Sequence, residues 1–195
     1  MQRSLEVEFK TLLTKEEYER LIDMFKDNHS DIQTNHYFDT PRFSLKALES
    51  SLRVRERDAL ELTLKKKKGY AVQEYTLPIT EEIFEQIKET GEIPESELRS
   101  ELLPLIGSQK LVNFLSLSTK RTYTQYKKGI LFLDKSTFCG VTDYELEYEA
   151  RNYLDGKKEF IELINDLQIQ YKKSEKKVQR AFKAYKNKKC DCNNH

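Results

Sequence analysis

Glu6, Glu8 and Lys10 alternate with Val7 and Phe9 near the start of the chain, and the same alternation of charge with apolar residue returns in later segments. In an extended strand, residues two apart share a face and sit roughly 6.6 Å from one another. Glu6, Glu8 and Lys10 therefore project together, while Val7 and Phe9 point the other way. Two carboxylates at that spacing can hold a divalent cation, and a lysine beside them can hold an anion. Arg53, Arg55 and Arg57 oppose Leu52 and Val54; Glu61, Thr63 and Lys65 oppose Leu62 and Leu64; Glu145, Glu147 and Glu149 oppose Tyr144, Leu146 and Tyr148. The charges are sorted: Arg and Lys gather on the central strands, Glu on the first and last. An ordinary solvated sheet face favours local alternation of sign, because opposite charges pair across strands. A sorted face suits a ligand that is itself highly charged. Phosphates would satisfy guanidinium and ammonium groups through charge-assisted hydrogen bonds, and Mg²⁺ or Mn²⁺ would satisfy the glutamates and bridge to phosphate oxygens.

Strands and helices must position these groups. Residues 3–11 read as a strand, followed by Thr14-Lys15-Glu16-Glu17, a capping box, and a helix with Tyr18, Leu21, Ile22 and Phe25 on one face. Thr34 to Phe38 looks extended and ends at Asp39-Thr40-Pro41. Residues 50–58, 61–67 and 72–78 form an antiparallel meander. Thr80 opens a helix carrying Ile83, Phe84 and Ile87, and Leu98 to Leu115 reads as one or two further helices interrupted by Pro104 and Gly107. Strands near 117–127, 130–138 and 142–150 follow, then a helix with Phe160, Leu163, Ile164 and Leu167. A last helix carries Val178, Ala181, Phe182 and Tyr185 behind Ser174 as the cap candidate.

About eight antiparallel strands suffice to close a barrel that holds side chains or one small ligand. The expected fold is α+β: a closed eight-stranded antiparallel barrel with a charged interior, covered by amphipathic helices. No Gly/Ser linker divides the series, so residues 1–187 are expected to form a single domain and 188–195 a polar tail.

Composition excludes several classes. The 195 residues suffice for one sizeable domain. Charged residues reach 34%, above the roughly 25% of an average soluble domain, yet 34 basic against 33 acidic residues leave a net charge of +1. A nucleic-acid or membrane-surface protein usually carries an excess of one sign, so neither partner is expected. The first residues read as a strand rather than a signal peptide, and no apolar run approaches the roughly 18 residues that span a bilayer, which predicts a cytoplasmic protein. Cys139, Cys190 and Cys192 are an odd set that makes no disulfide framework, consistent with that compartment. The tail Cys190-Asp191-Cys192-Asn193-Asn194-His195 would need a further ligand to hold a soft metal. The sequence leaves the oligomeric state open, homodimer included.

The ordered motifs resemble the CYTH, or triphosphate tunnel metalloenzyme, superfamily. Glu6-x-Glu8-x-Lys10 matches its ExExK signature. The match continues through Tyr37-Phe38-Asp39-Thr40, Leu52-Arg53-Val54-Arg55, Thr63-Leu64-Lys65, Lys120-Arg121, Leu133-Asp134, Glu145-Leu146-Glu147 and Lys177-x-x-Arg180, over roughly residues 3–182. The pattern looks closest to small bacterial CYTH proteins of the YjbK type. One departure is that Lys176-Lys177 stands where the family commonly has Ser-Lys. The resemblance implies a tunnel that hydrolyses triphosphate compounds, inorganic triphosphate or a nucleoside triphosphate, with divalent metal. Lys10, Arg53, Arg55, Lys65, Arg121, Lys177 and Arg180 would bind the phosphate chain. Glu6, Glu8, Asp134, Glu145 and Glu147 would ligate Mg²⁺ or Mn²⁺, and Glu6, Glu8, Lys10 and Glu147 would carry the catalysis. Glu74 and Glu149 share the inner parity, and the last helix would plug the tunnel mouth. The superfamily also implies adenylate cyclisation and thiamine triphosphate hydrolysis as alternatives. A module that binds polyphosphate or nucleotide without turnover is a rival of another class.

Overall fold

The computed structural model describes residues 1–25 and 28–186; the Cys190, Cys192 and His195 tail lies outside them. The elements run β1 (Gln2–Leu13), α1 (Lys15–Met24), β2 (His29–Asp39), α2 (Ser44–Ala47), β3 (Ser51–Glu56), β4 (Leu60–Lys68), β5 (Ala71–Ile79), α3 (Glu81–Thr90), α4 (Glu97–Ile106), β6 (Val112–Tyr126), β7 (Gly129–Phe138), β8 (Val141–Ala150), α5 (Tyr153–Asp166) and α6 (Lys177–Lys186). The strands hydrogen-bond in the order β1-β5-β4-β3-β2-β6-β7-β8, a closed antiparallel barrel flanked by helices. No described helix is long and apolar enough to cross a membrane. The chain groups into two compact units, Met1–Leu5 with Thr34–Ser116, and Glu6–Gln33 with the chain from Leu117 onward.

In the first unit, β3, β4 and β5 pair so that Leu52 lies opposite Leu64 and Leu64 opposite Tyr75. Period-two alternation puts these side chains on one face, where they pack with Leu45, Phe84, Ile87, Leu98 and Leu102 from α2, α3 and α4. Each fully buried Leu contributes about 1.5–3 kcal/mol, so this face fixes the register, and a slip of one residue would bury Arg53 and Arg55 in its place. Asp39 shapes the turn after β2, as its position before Thr40-Pro41 suggests. Its carboxylate accepts from the backbone N–H groups of Thr40 (2.7 Å), Leu45 (2.9 Å) and Lys46 (3.0 Å). Pro104 does not break α4. It sits in the last turn, where a missing N–H costs one bond, and the helix ends instead at Gly107 with φ +60°. The expectation of helix up to Leu115 also fails: β6 begins at Val112, because Leu115 and Leu117 alternate into the core at period two.

The second unit builds its own core. Leu13, Leu131, Leu133, Leu146 and Tyr148 form the apolar face of β1, β7 and β8, covered by Tyr18 and Leu21 of α1 and by Phe160, Leu163 and Ile164 of α5. The capping box is present: Glu17 N–H donates to Thr14 Oγ1 at 3.1 Å, and Thr14 N–H donates to Glu17 Oε2 at 2.6 Å. Gly156 lets α5 lie close on the sheet, since a Cβ there would stand 2.3 Å from Ala150 Cβ and 2.7 Å from the Phe9 ring. Cys139 is disulfide-bonded.

Candidate active site

The opposite face of the second unit's sheet collects the charges. Across β1, β8, β7 and β6 the register sets Lys10 beside Glu147, Glu147 beside Phe132, Glu145 beside Asp134, and Asp134 beside Arg121. Glu8 pairs with Glu149 one step along, and Glu6 follows two residues further on the same strand face. This face is inside: Asp134 and Glu145 are 0% exposed and Glu147 is 6% exposed. Carboxylates so buried stay ionised only when paired and hydrogen-bonded.

The pairing comes from three cations. Arg121 forks onto Asp134, Nε to Oδ1 at 2.7 Å and Nη2 to Oδ2 at 2.6 Å, and Nη2 also reaches Glu147 Oε2 at 2.5 Å. Its guanidinium lies over the Phe132 ring, 4.3 Å from the centroid. Lys177, the first residue of α6, contacts Glu145 Oε1 at 2.5 Å, Asp134 Oδ2 at 2.6 Å and Glu147 Oε1 at 2.7 Å. One turn on, Arg180 donates from Nε to Asp143 Oδ2 and from Nη1 to Glu145 Oε2, both at 2.7 Å. Lys10 pairs with Glu8 at 2.6 Å. The approach to α6 is tied to β1, since Thr11 pairs with Lys173 and Thr11 Oγ1 accepts from Lys172 N–H at 2.8 Å.

These neighbours set the protonation states. Burial opposes ionisation of Glu147, but Lys177, Arg121 and Lys10 overcome it and hold its carboxyl well below the usual range. Burial pushes Glu145 up, helped by the Glu147 charge and opposed by Lys177. For Lys177 and Lys10 burial works against the charged form, yet the surrounding carboxylates more than compensate and raise both ammonium groups. Among the described residues, Asp134, Glu145 and Glu147 present ligand atoms within 4.8 Å of one another. Three hard oxygen donors at that spacing fit a divalent cation.

The first unit carries its own cationic face. Lys65 pairs with Glu74 at 2.7 Å, Arg55 Nε donates to Asn35 Oδ1 at 3.4 Å, and Arg53 lies opposite both Tyr37 and Thr63 in the register. His36, by contrast, bonds Ser116 Oγ at 2.9 Å and packs on Phe84, which makes it a packing residue. Lys120 is exposed.

Sequence reasoning missed Asp143 and Ser174 as members of the network. Asp143 shares parity with Glu145, so alternation could have found it. Ser174 does not cap α6: its hydroxyl donates to Glu145 Oε2, and the Gln179 side chain caps the helix from within by accepting from Lys176 N–H at 3.3 Å. Phe132 shares parity with Asp134, but nothing in the sequence separates it from the core aromatics.

A family model described as the CYTH domain matches residues 4–182. YjbK of Bacillus subtilis (strain 168), a proposed triphosphatase, is 30% identical over 191 residues, covering 93% of this chain and 96% of YjbK. A crystal structure of a proposed adenylate cyclase from Bacillus halodurans is 33% identical, with a TM-score of 0.88 over 93% of this chain and all of that one. HpAC1 from Hippeastrum, a proposed adenylyl cyclase described as having a dominant triphosphatase activity, shares the fold. It is 21% identical, with a TM-score of 0.75 over 98% of this chain and 99% of its own.

Proposed function

The chain belongs to the CYTH family, and we propose that it hydrolyses a triphosphate compound, inorganic triphosphate or a nucleoside triphosphate, in a reaction that depends on Mg²⁺ or Mn²⁺. The observation that carries this reading is the set of buried carboxylates Asp134, Glu145 and Glu147, gathered within 4.8 Å and ringed by Arg121, Lys177 and Arg180. Pure anion binding has no use for a buried acidic triad, which weighs against a phosphate-binding module without turnover.

Asp134, Glu145 and Glu147 would hold the metal, joined by Glu6 and Glu8 from the neighbouring strand. When bound, a divalent ion supplies neutralisation of charge on the phosphoryl oxygens. The protein's own share is alignment and further neutralisation. Arg121, stacked on Phe132 and forked onto Asp134, sets a fixed positive charge beside the phosphate chain. Lys10, Lys177 and Arg180 contribute point charges beside it, and Arg53, Arg55 and Lys65 are the phosphate contacts proposed for the first unit. Glu147, kept ionised by its cationic neighbours, acts in the reaction as a fixed negative charge and accepts hydrogen bonds.

The description of the B. halodurans relative as a proposed adenylate cyclase favours cyclisation of ATP as the second reading. Phosphate release from inorganic triphosphate, ATP and thiamine triphosphate, each with Mg²⁺, with Mn²⁺ and with chelator, tests both. Metal-dependent phosphate release supports hydrolysis. Cyclic AMP with pyrophosphate from ATP would replace that reading with the cyclase, and tight binding without product would replace it with the binding module.

A further inference from the structure

Lys177 reaches its three carboxylates with one ammonium: Asp134 Oδ2, Glu145 Oε1 and Glu147 Oε1 all lie within 2.7 Å of Nζ. An ammonium has three N–H donors, and each here has a carboxylate. These are the residues whose oxygens converge closely enough to hold a metal ion. Divalent cations take such oxygens at about 2.0–2.6 Å, so the ammonium and the ion claim the same ligand atoms and the same space. Their like charges also repel strongly in a site this dry. The other cations overlap less with the ion: Arg180 takes the second oxygen of Glu145 and Arg121 the second oxygen of Glu147, and Arg121 shares with Lys177 the single atom Asp134 Oδ2.

We infer that Lys177 is a built-in competitor of the metal: the Asp134, Glu145 and Glu147 triad holds either the Lys177 ammonium or a divalent ion, and metal loading releases the first turn of α6. Lys177 opens the helix, so its release loosens the N-terminal turn, while Arg180 on Asp143 and the buried Ala181 and Phe182 keep the rest attached. The freed ammonium is then available to a phosphate oxygen, so that the residue neutralises the empty site first and the substrate afterwards. The inference rests on the triad being the metal site, and the experiment separates the two.

Full-length protein is titrated with Mn²⁺ by calorimetry, without any triphosphate, as wild type and as Lys177→Met, which keeps the length of the side chain and removes its charge. Competition predicts Mn²⁺ binding at least about tenfold tighter in the variant, as expected when a buried charge loses its internal partner. Equal or weaker binding overturns it. Lys177→Met leaves buried carboxylates short of a cation and is at risk of misfolding, so hydrogen exchange at the first-turn amides of Gln179 and Arg180, which bond Lys176 O, is followed in the wild type with and without Mn²⁺. Faster exchange with Mn²⁺ is expected, and unchanged or slower exchange overturns the inference. Absence of Mn²⁺ binding in both proteins refutes the triad as a metal site, whereas equal binding refutes the competition alone.

Discussion

Arg121 shows how much a single residue carries. It forks onto Asp134 and also reaches Glu147, and removing it takes from the buried Asp134 the cation that shares this carboxylate with Lys177. Losing one partner of a buried pair costs about 3–5 kcal/mol, so Arg121→Ala should lower the unfolding free energy by that order in a denaturant titration. Arg121→Lys keeps the charge but loses the fork, and should recover part of the loss. A stability within about 0.5 kcal/mol of wild type for Arg121→Ala, the range of an ordinary surface change, would show that the network is not what holds this face together. Much of this network is legible in the sequence, because alternation assigns Glu145 and Glu147 to one face and the family resemblance adds Asp134, Arg121, Lys177 and Arg180 before any contact is known. What alternation cannot supply is the distance between elements. Lys177 lies 32 residues from Glu145, and only the packing of α6 on β8 brings its ammonium among the carboxylates.

At the scale of elements, local rules succeed where the signal is local. The Thr14 and Glu17 capping box forms as its spacing dictates. Burial opposes the Glu17 charge, but the Thr14 N–H and Lys172 outweigh it and lower its pKa below the ordinary 4.5. In the pH range between that lowered value and 4.5 the folded state binds fewer protons than the unfolded one, so stability rises with pH there. The contribution is complete above about pH 4.5 and is lost as pH falls through the folded-state value. The stability gap between wild type and Glu17→Gln should therefore narrow on acidification from pH 7, and a gap that widens would show that the carboxylate is not the stabilising form. Gly156 makes the opposite point. Inside a helix a glycine reads as a weakness, yet here it permits the close approach of α5 to Ala150 and Phe9. Gly156→Ala should destabilise by about 1–3 kcal/mol through overpacking, against the gain expected from helix propensity alone, and a more stable variant would refute the close contact. One element is misread: the segment up to Leu115 reads as helix, but α4 ends at Gly107, Leu111 N–H bonds Gly91 O at the end of α3 at 2.8 Å, and β6 begins at Val112.

For the molecule as a whole, a net charge of +1 conceals a strong internal sorting: apolar residues form two cores on the outward strand faces, and ionised groups fill the opposite faces. A half-buried sheet with a solvated polar face has the same alternation, so no single strand distinguishes the two arrangements. The closed strand order does, because it turns one face of every strand inward. The proposed activity, metal-dependent phosphate release at Asp134, Glu145 and Glu147, is measured as phosphate from inorganic triphosphate with Mn²⁺, comparing wild type with Glu147→Gln, a variant of the same size that lacks the charge. Wild-type release that chelator abolishes is expected, with a loss of at least about a hundredfold in the variant, the upper end of what changing even an outer partner of a metal ligand costs. Undiminished release by Glu147→Gln at low Mn²⁺ would contradict it.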